Sequence, residues 1–149
     1  MINLIIWYQK EQYKISVKMD DLQEITDALF QLGVSYIAKG ESQNGEREDF
    51  QTAIDNLKKA ERNSKQLLGL NSADREAYRA QIYMNIGVAT MNMKDPDSAI
   101  QFIEYAKKIF IRGGDKVQEA QSYANLAVCY DQKNDARKAI EVLLITYSS

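Results

Sequence analysis

Ser122–Leu143 reads SYANLAVCYDQKNDARKAIEVL, and forty residues earlier Ile82–Ile103 reads IYMNIGVATMNMKDPDSAIQFI. The two stretches share spacing more than identity. With Ala99 set on Ala139, Tyr83 falls on Tyr123, Ile86 on Leu126, Gly87 on Ala127 and Asp95 on Asp135. A third copy lies upstream. There Leu29, Leu32, Gly33, Asp49 and Ala53 take the same places, with eight extra residues between its halves, within KGESQNGERED. A repeat of this period describes an architecture in which each unit stacks on the next.

Each half has helical spacing. Leu29, Leu32/Gly33 and Tyr36 recur at three- and four-residue steps, as do Tyr123, Leu126/Ala127 and Tyr130. The second halves repeat this with Ala53, Leu57 and Ala60, and with Ala99, Ile103 and Ala106. Asp49, Asp95 and Asp135 each stand four residues before the alanine, where a carboxylate caps a helix start. DPD adds a proline suited to the first helical turn, and Gly113-Gly114 ends the helix that follows. GLNS at 69–72 ends the equivalent helix upstream, with Asn71 or Ser72 starting the next. Small residues at 33, 87 and 127, and at 53, 99 and 139, let paired helices approach closely.

This register resembles the tetratricopeptide repeat over about residues 22–149. The match rests on Leu29, Leu32, Gly33, Tyr36, Ala53, Leu57, Ala60; on Tyr83, Ile86, Gly87, Thr90, Ala99, Ile103, Ala106; and on Tyr123, Leu126, Ala127, Tyr130, Ala139, Leu143, Thr146. Thr90, Ala127 and Thr146 depart from the family pattern, and no proline closes a second helix. The forty-residue spacing looks like the long-repeat variant. The resemblance implies an all-α, right-handed superhelical solenoid of three helix pairs, at about 22–70, 73–113 and 115–149 within a domain spanning 21–149. Residues 1–20 form an N-terminal extension, which reads either as a β-hairpin, from the alternation of Tyr13, Ile15, Val17 and Met19, or as a helix covering the first repeat.

Composition narrows function. The chain has 149 residues, a net charge of -2, one cysteine and no histidine. A near-neutral chain has no electrostatic footprint for nucleic acid, and no apolar run is long enough for a membrane span. Without histidine there is no Ser-His or Cys-His pair and no histidine-bearing metal site. The lone Cys129 excludes an internal disulfide and fits a reducing, cytoplasmic setting. The expectation is a non-enzyme that needs no cofactor or metal.

The resemblance implies a binding role: a protein or peptide segment held on the concave face lined by first helices. That makes the chain a scaffold or adaptor module. Two alternatives are a peptide-sensing domain of a larger signalling protein and a self-assembling structural module. Counted from the aligned small residues, the face holds Phe30, Val34 and Ile37, then Met84, Val88 and Met91, then Ala124, Val128 and Asp131. Gln31, Asn85 and Asn125 precede Leu32, Ile86 and Leu126, so a side-chain amide recurs at one repeat position. Each amide carries both donor and acceptor, as an extended main chain requires. If these amides grip a peptide, they stand free of intramolecular partners. Phe30, Val34 and Gln121 occupy the positions where some relatives clamp a terminal carboxylate, which argues against that ligand. ESQNGERED at 41–49 reads as an exposed loop. Val142, Leu143, Leu144 and Ile145 crowd the last helix and point to an apolar face that a homodimer would cover.

Overall fold

The computed structural model describes residues 1–148. Among them lie seven helices and no strand: α1 (Ile2–Lys18), α2 (Leu22–Glu41), α3 (Arg47–Ser64), α4 (Ser72–Asn92), α5 (Pro96–Gly113), α6 (Lys116–Gln132) and α7 (Ala136–Tyr147). The helix pairs α2/α3, α4/α5 and α6/α7 are the three copies of the repeat, so the chain is an all-α succession of helical repeats. It divides into two compact units, Met1–Arg75 and Glu76–Ser149.

The turns inside α4/α5 and α6/α7 have one chemistry. Lys94 and Asn134 take positive φ angles of 63° and 61°, and each is followed by an aspartate that caps the next helix. The Asp95 carboxylate accepts from Ser98 N–H, and that of Asp135 from Lys138 N–H. The backbone of Asp95 donates to Thr90 and that of Asp135 to Tyr130. The turn from α1 to α2 is built the same way. Asp20 has φ 53°, Asp21 donates to Ser16, and its carboxylate caps α2 by accepting from Glu24 N–H. Residues 1–20 are thus a helix and its turn, and the hairpin reading is overturned. The alternation of Tyr13, Ile15, Val17 and Met19 lies on a helix and its C-cap, Met19, and the buried residues of that helix are Ile6 and Ser16.

The eight extra residues of the first copy are mostly helix. Relative to the small residue at 33, 87 or 127, α2 runs three residues further than α4 or α6. Relative to the alanine at 53, 99 or 139, α3 starts three residues earlier than α5 or α7. Only Ser42–Glu46 is loop, so the expected loop over 41–49 shrinks to its centre. The added turns pack on each other, because a Cβ on Gly40 would stand 2.7 Å from the Phe50 ring. The same extension moves the cap. Glu46 is the cap of α3 and Asp49 lies one turn inside it, in a reciprocal capping box. Asp49 Oδ2 accepts from Glu46 N–H at 2.9 Å. Asp49 is therefore not the cap that its alignment with Asp95 and Asp135 suggests.

In the first unit the core is Leu29, Leu32, Tyr36, Ala53, Ile54, Leu57 and Ala60. Gly33 is where α2 meets α3: a Cβ there would come within 2.5 Å of Leu57 Cγ. After α3, the Arg75 guanidinium ties down the 65–71 turn by donating to the carbonyls of Leu67 and Leu70. In the second unit Gly87 repeats the device, with a Cβ falling 2.6 Å from Ile103 Cγ1. Ala99, Ile103, Ala106, Phe110, Leu126, Ala127 and Cys129 form its core. Gly114, at φ 74°, ends α5 in the left-handed conformation that suits glycine.

Candidate functional site

The side chains expected on the first helices fall into two sets. In the first unit Gln31 is exposed, Val34 is partly exposed, Phe30 is half-buried and Ile37 lies in the core. In the second unit α4 and α6 are cross-linked twice. Asn125 Nδ2 donates to Met84 Sδ at 3.4 Å, and Gln132 Nε2 donates to the Met91 carbonyl at 3.1 Å. Val88 lies one turn from both Met84 and Met91, and Val128 one turn from both Asn125 and Gln132. The two valines therefore border one seam, where Val128 is 45% exposed and Val88 half-buried. Asp131 is exposed one turn beyond Val128, and Asn85 and Ala124, one turn before Val88 and Val128, are half-buried.

The amides do not form a uniform ladder. Gln31 faces water. Asn85 is half-exposed, with its NH2 donating to the Gln81 carbonyl at 2.9 Å. Asn125 is buried; besides its bond to Met84, its oxygen accepts from Gln121 Nε2 at 3.3 Å. The expectation that all three stand free of intramolecular partners is thus corrected. Asn125 is turned into the packing between α4 and α6, and Met84 belongs to the core cluster. Only the packing of one pair on the next decides which side of an amphipathic helix opens to water, and repeat spacing within a helix does not carry that information.

Two features of the second unit went unread in the sequence. Gln132 spends its NH2 on Met91, while its Oε1 is buried without a hydrogen-bond partner. Its one available signal was an amide five residues after Ala127, matched by Asn92 five after Gly87. Asn92 in turn donates to the Val88 carbonyl at 2.9 Å. The second feature is an aromatic group on α4 and α5. Tyr83 stacks on Phe102 at 5.9 Å and meets Tyr105 edge-on at 4.7 Å. The Arg79 guanidinium lies over both tyrosines.

Charge chemistry is sparse. Burial pushes the Cys129 thiol up to about 11, so it is protonated at neutral pH and a poor nucleophile. Lys133 is held above its usual value by a hydrogen bond from its ammonium to Asp97, at 2.7 Å, and then by that carboxylate's charge. The pair joins the turn after α6 to the start of α5. Among the described residues no three acidic or thiol side chains gather as a metal site, and no helix is long and apolar enough to cross a membrane.

Residues 78–144 match the tetratricopeptide-repeat family model. That span takes in α5 and α6 with most of α4 and α7, and carries the paired helices, small contact residues and capped turns described above. The second unit thus belongs to the tetratricopeptide-repeat family, a class of protein-interaction modules. No curated protein is similar enough to the chain to count as a relative.

Proposed function

We propose that the chain is a scaffold or adaptor whose second unit takes an extended peptide, or a segment of a protein, along the seam between α4 and α6. The single observation that carries this is an open valine, Val128, beside a half-buried one, Val88, with the half-exposed amide of Asn85 one turn away. Val88 and Val128 offer apolar contact, Asn85 offers a half-exposed amide, and Met91 and Asp131 lie at the seam's end. Apolar contacts hold side chains, while an amide matches the donor and acceptor of a peptide group. On α2, Phe30, Gln31 and Val34 offer a surface of the same kind. Asn125 and Met84 act behind the seam by fixing α6 on α4. No catalytic role is assigned to any residue: the one thiol is buried and protonated. A free thiol of this kind also fits a reducing cytoplasmic setting. A second copy of the chain is a further partner, through α7.

The test begins with a partner captured from native lysate and measured against purified variants. Asn85→Ala should weaken binding by about 1–3 kcal/mol with the melting temperature nearly unchanged, because a bound peptide group loses its hydrogen bond. Asn125→Ala should instead lower the melting temperature. Unchanged affinity in a folded Asn85→Ala/Val128→Asp double variant would remove the seam from the mechanism.

A further inference from the structure

The α7 helix leaves Ile140, Leu143, Leu144, Ile145 and Tyr147 open to solvent. At the other end of the sequence, α1 and α2 enclose an open groove of about 590 Å³ whose walls include Leu4, Ile5, Trp7 and Tyr8. We infer that α7 of one copy seats in the α1/α2 groove of another, so that the chain self-associates head to tail. This deepens the reading of a second copy as partner and is independent of the α4/α6 seam.

Two observations select α7 as the occupant. The first is length. The groove runs along α1 from Leu4 to Ser16, about 18 Å at the helical rise of 1.5 Å per residue. The twelve residues of α7 span about the same distance. The second is charge. Glu24 and Asp27 line the groove, with no lysine or arginine among its lining residues, and α7 begins with Arg137 and Lys138, both exposed. These observations also set a direction. The short turn at Asp20–Asp21 brings Ser16 beside the start of α2, so the acidic residues lie at that end and Leu4 and Ile5 at the other. Arg137, one turn before Ile140 on the same face, therefore goes to Glu24 and Asp27, and Leu144 and Tyr147 go to Leu4, Trp7 and Tyr8. That course makes α7 parallel to α2. Because the two surfaces differ, the contact is heterologous, and it closes only if the rotation between copies allows a ring.

Light scattering on size-exclusion fractions over a concentration series tests this. The unaltered chain should rise above its 17.0 kDa monomer mass as concentration increases. Leu144→Asp on α7 and Trp7→Asp on α1 should each weaken self-association by about tenfold or more, as loss of a central apolar anchor does. Both side chains are more than half exposed, so the fold, checked by circular dichroism, should persist. Leu4→Asp serves as a second groove variant. The deciding step mixes the α7 variant with the groove variant. One keeps an intact groove and the other an intact α7, so an equimolar mixture should form a pair of chains that neither forms alone. A chain that stays monomeric at every concentration overturns the inference. So does association abolished by Leu144→Asp but untouched by both groove variants, which would show α7 pairing with itself. A mixture that fails to recombine overturns it too. None of these outcomes affects the reading of the α4/α6 seam, which Asn85→Ala and Val128→Asp test separately.

Discussion

Leu57 in α3, Ile103 in α5 and Leu143 in α7 hold one position of the repeat, yet the first two are fully buried and Leu143 is 41% exposed. Their neighbours across the helix pair differ in the same order. Leu57 and Ile103 lie where a Cβ on Gly33 or Gly87 would stand, at 2.5 and 2.6 Å. In the last pair that position is Ala127, which already carries the methyl group. On α7 the buried side chain is Val142, 7% exposed, while Leu143 beside it is open. The two pairs with glycine at the helix crossing thus bury the facing side chain, while the pair with alanine there leaves an apolar face open. The teaching is general to repeats: the consensus position predicts the contact only when the residue facing it is also kept.

The largest test of this contrast is truncation of the three equivalent side chains. Leu57→Ala and Ile103→Ala should each lower unfolding stability by about 2–5 kcal/mol, the cost of a large-to-small change in a packed core. Leu143→Ala should cost about 0.5 kcal/mol or less, as at an exposed site. Chemical denaturation of the three variants reads this directly. An equal loss at Leu143 would mean that α7 is packed as α3 and α5 are.

A smaller effect probes the cause. Gly87→Ala should destabilise by about 1–3 kcal/mol by overpacking against Ile103. The opposite change, Ala127→Gly, should cost no more than about 1 kcal/mol, which is the helix penalty of glycine itself. A larger loss for Ala127→Gly than for Gly87→Ala would dissolve the contrast.

The smallest effect concerns Cys129, buried on α6 beside the crossing. Its thiol titrates near 11 in the folded chain, above the ordinary 9.0. Folding therefore favours the protonated thiol. That contribution to stability is complete below pH 9 and is lost as pH rises towards 11. A thiol reagent at neutral pH should label the native chain slowly and the unfolded chain at the ordinary rate. Rapid native labelling would show that α6 opens locally around the loosely packed α7.

Much of this architecture can be read from local chemistry. Asp95 and Asp135, the proline at 96 and the three- and four-residue apolar spacing act within one or two helical turns, and the helices stand where those signals place them. Gly33 and Gly87 marked the close crossings because only a missing Cβ admits a branched side chain there. The candidate site was legible only in part. Val88, Val128 and Asn85 are open or half-open, whereas Asn125, at the same repeat position as Asn85, and Met84, one turn from Val88, are packed away.

What the sequence determined by itself was the six helices of the repeats, the caps of α5 and α7 and the pairing of α2 with α3, α4 with α5 and α6 with α7. Those follow from backbone hydrogen bonding and from apolar periodicity, which are local. Only the tertiary structure decided the rest. It made residues 1–20 a helix, by closing the Asp20–Asp21 turn onto Ser16. It divided the eight extra residues between α2 and α3, by seating Phe50 on Gly40. It turned Asn125 from a free amide into a bond to Met84, because burial depends on what the neighbouring helix brings from about forty residues away, and no rule of spacing within one helix contains that partner.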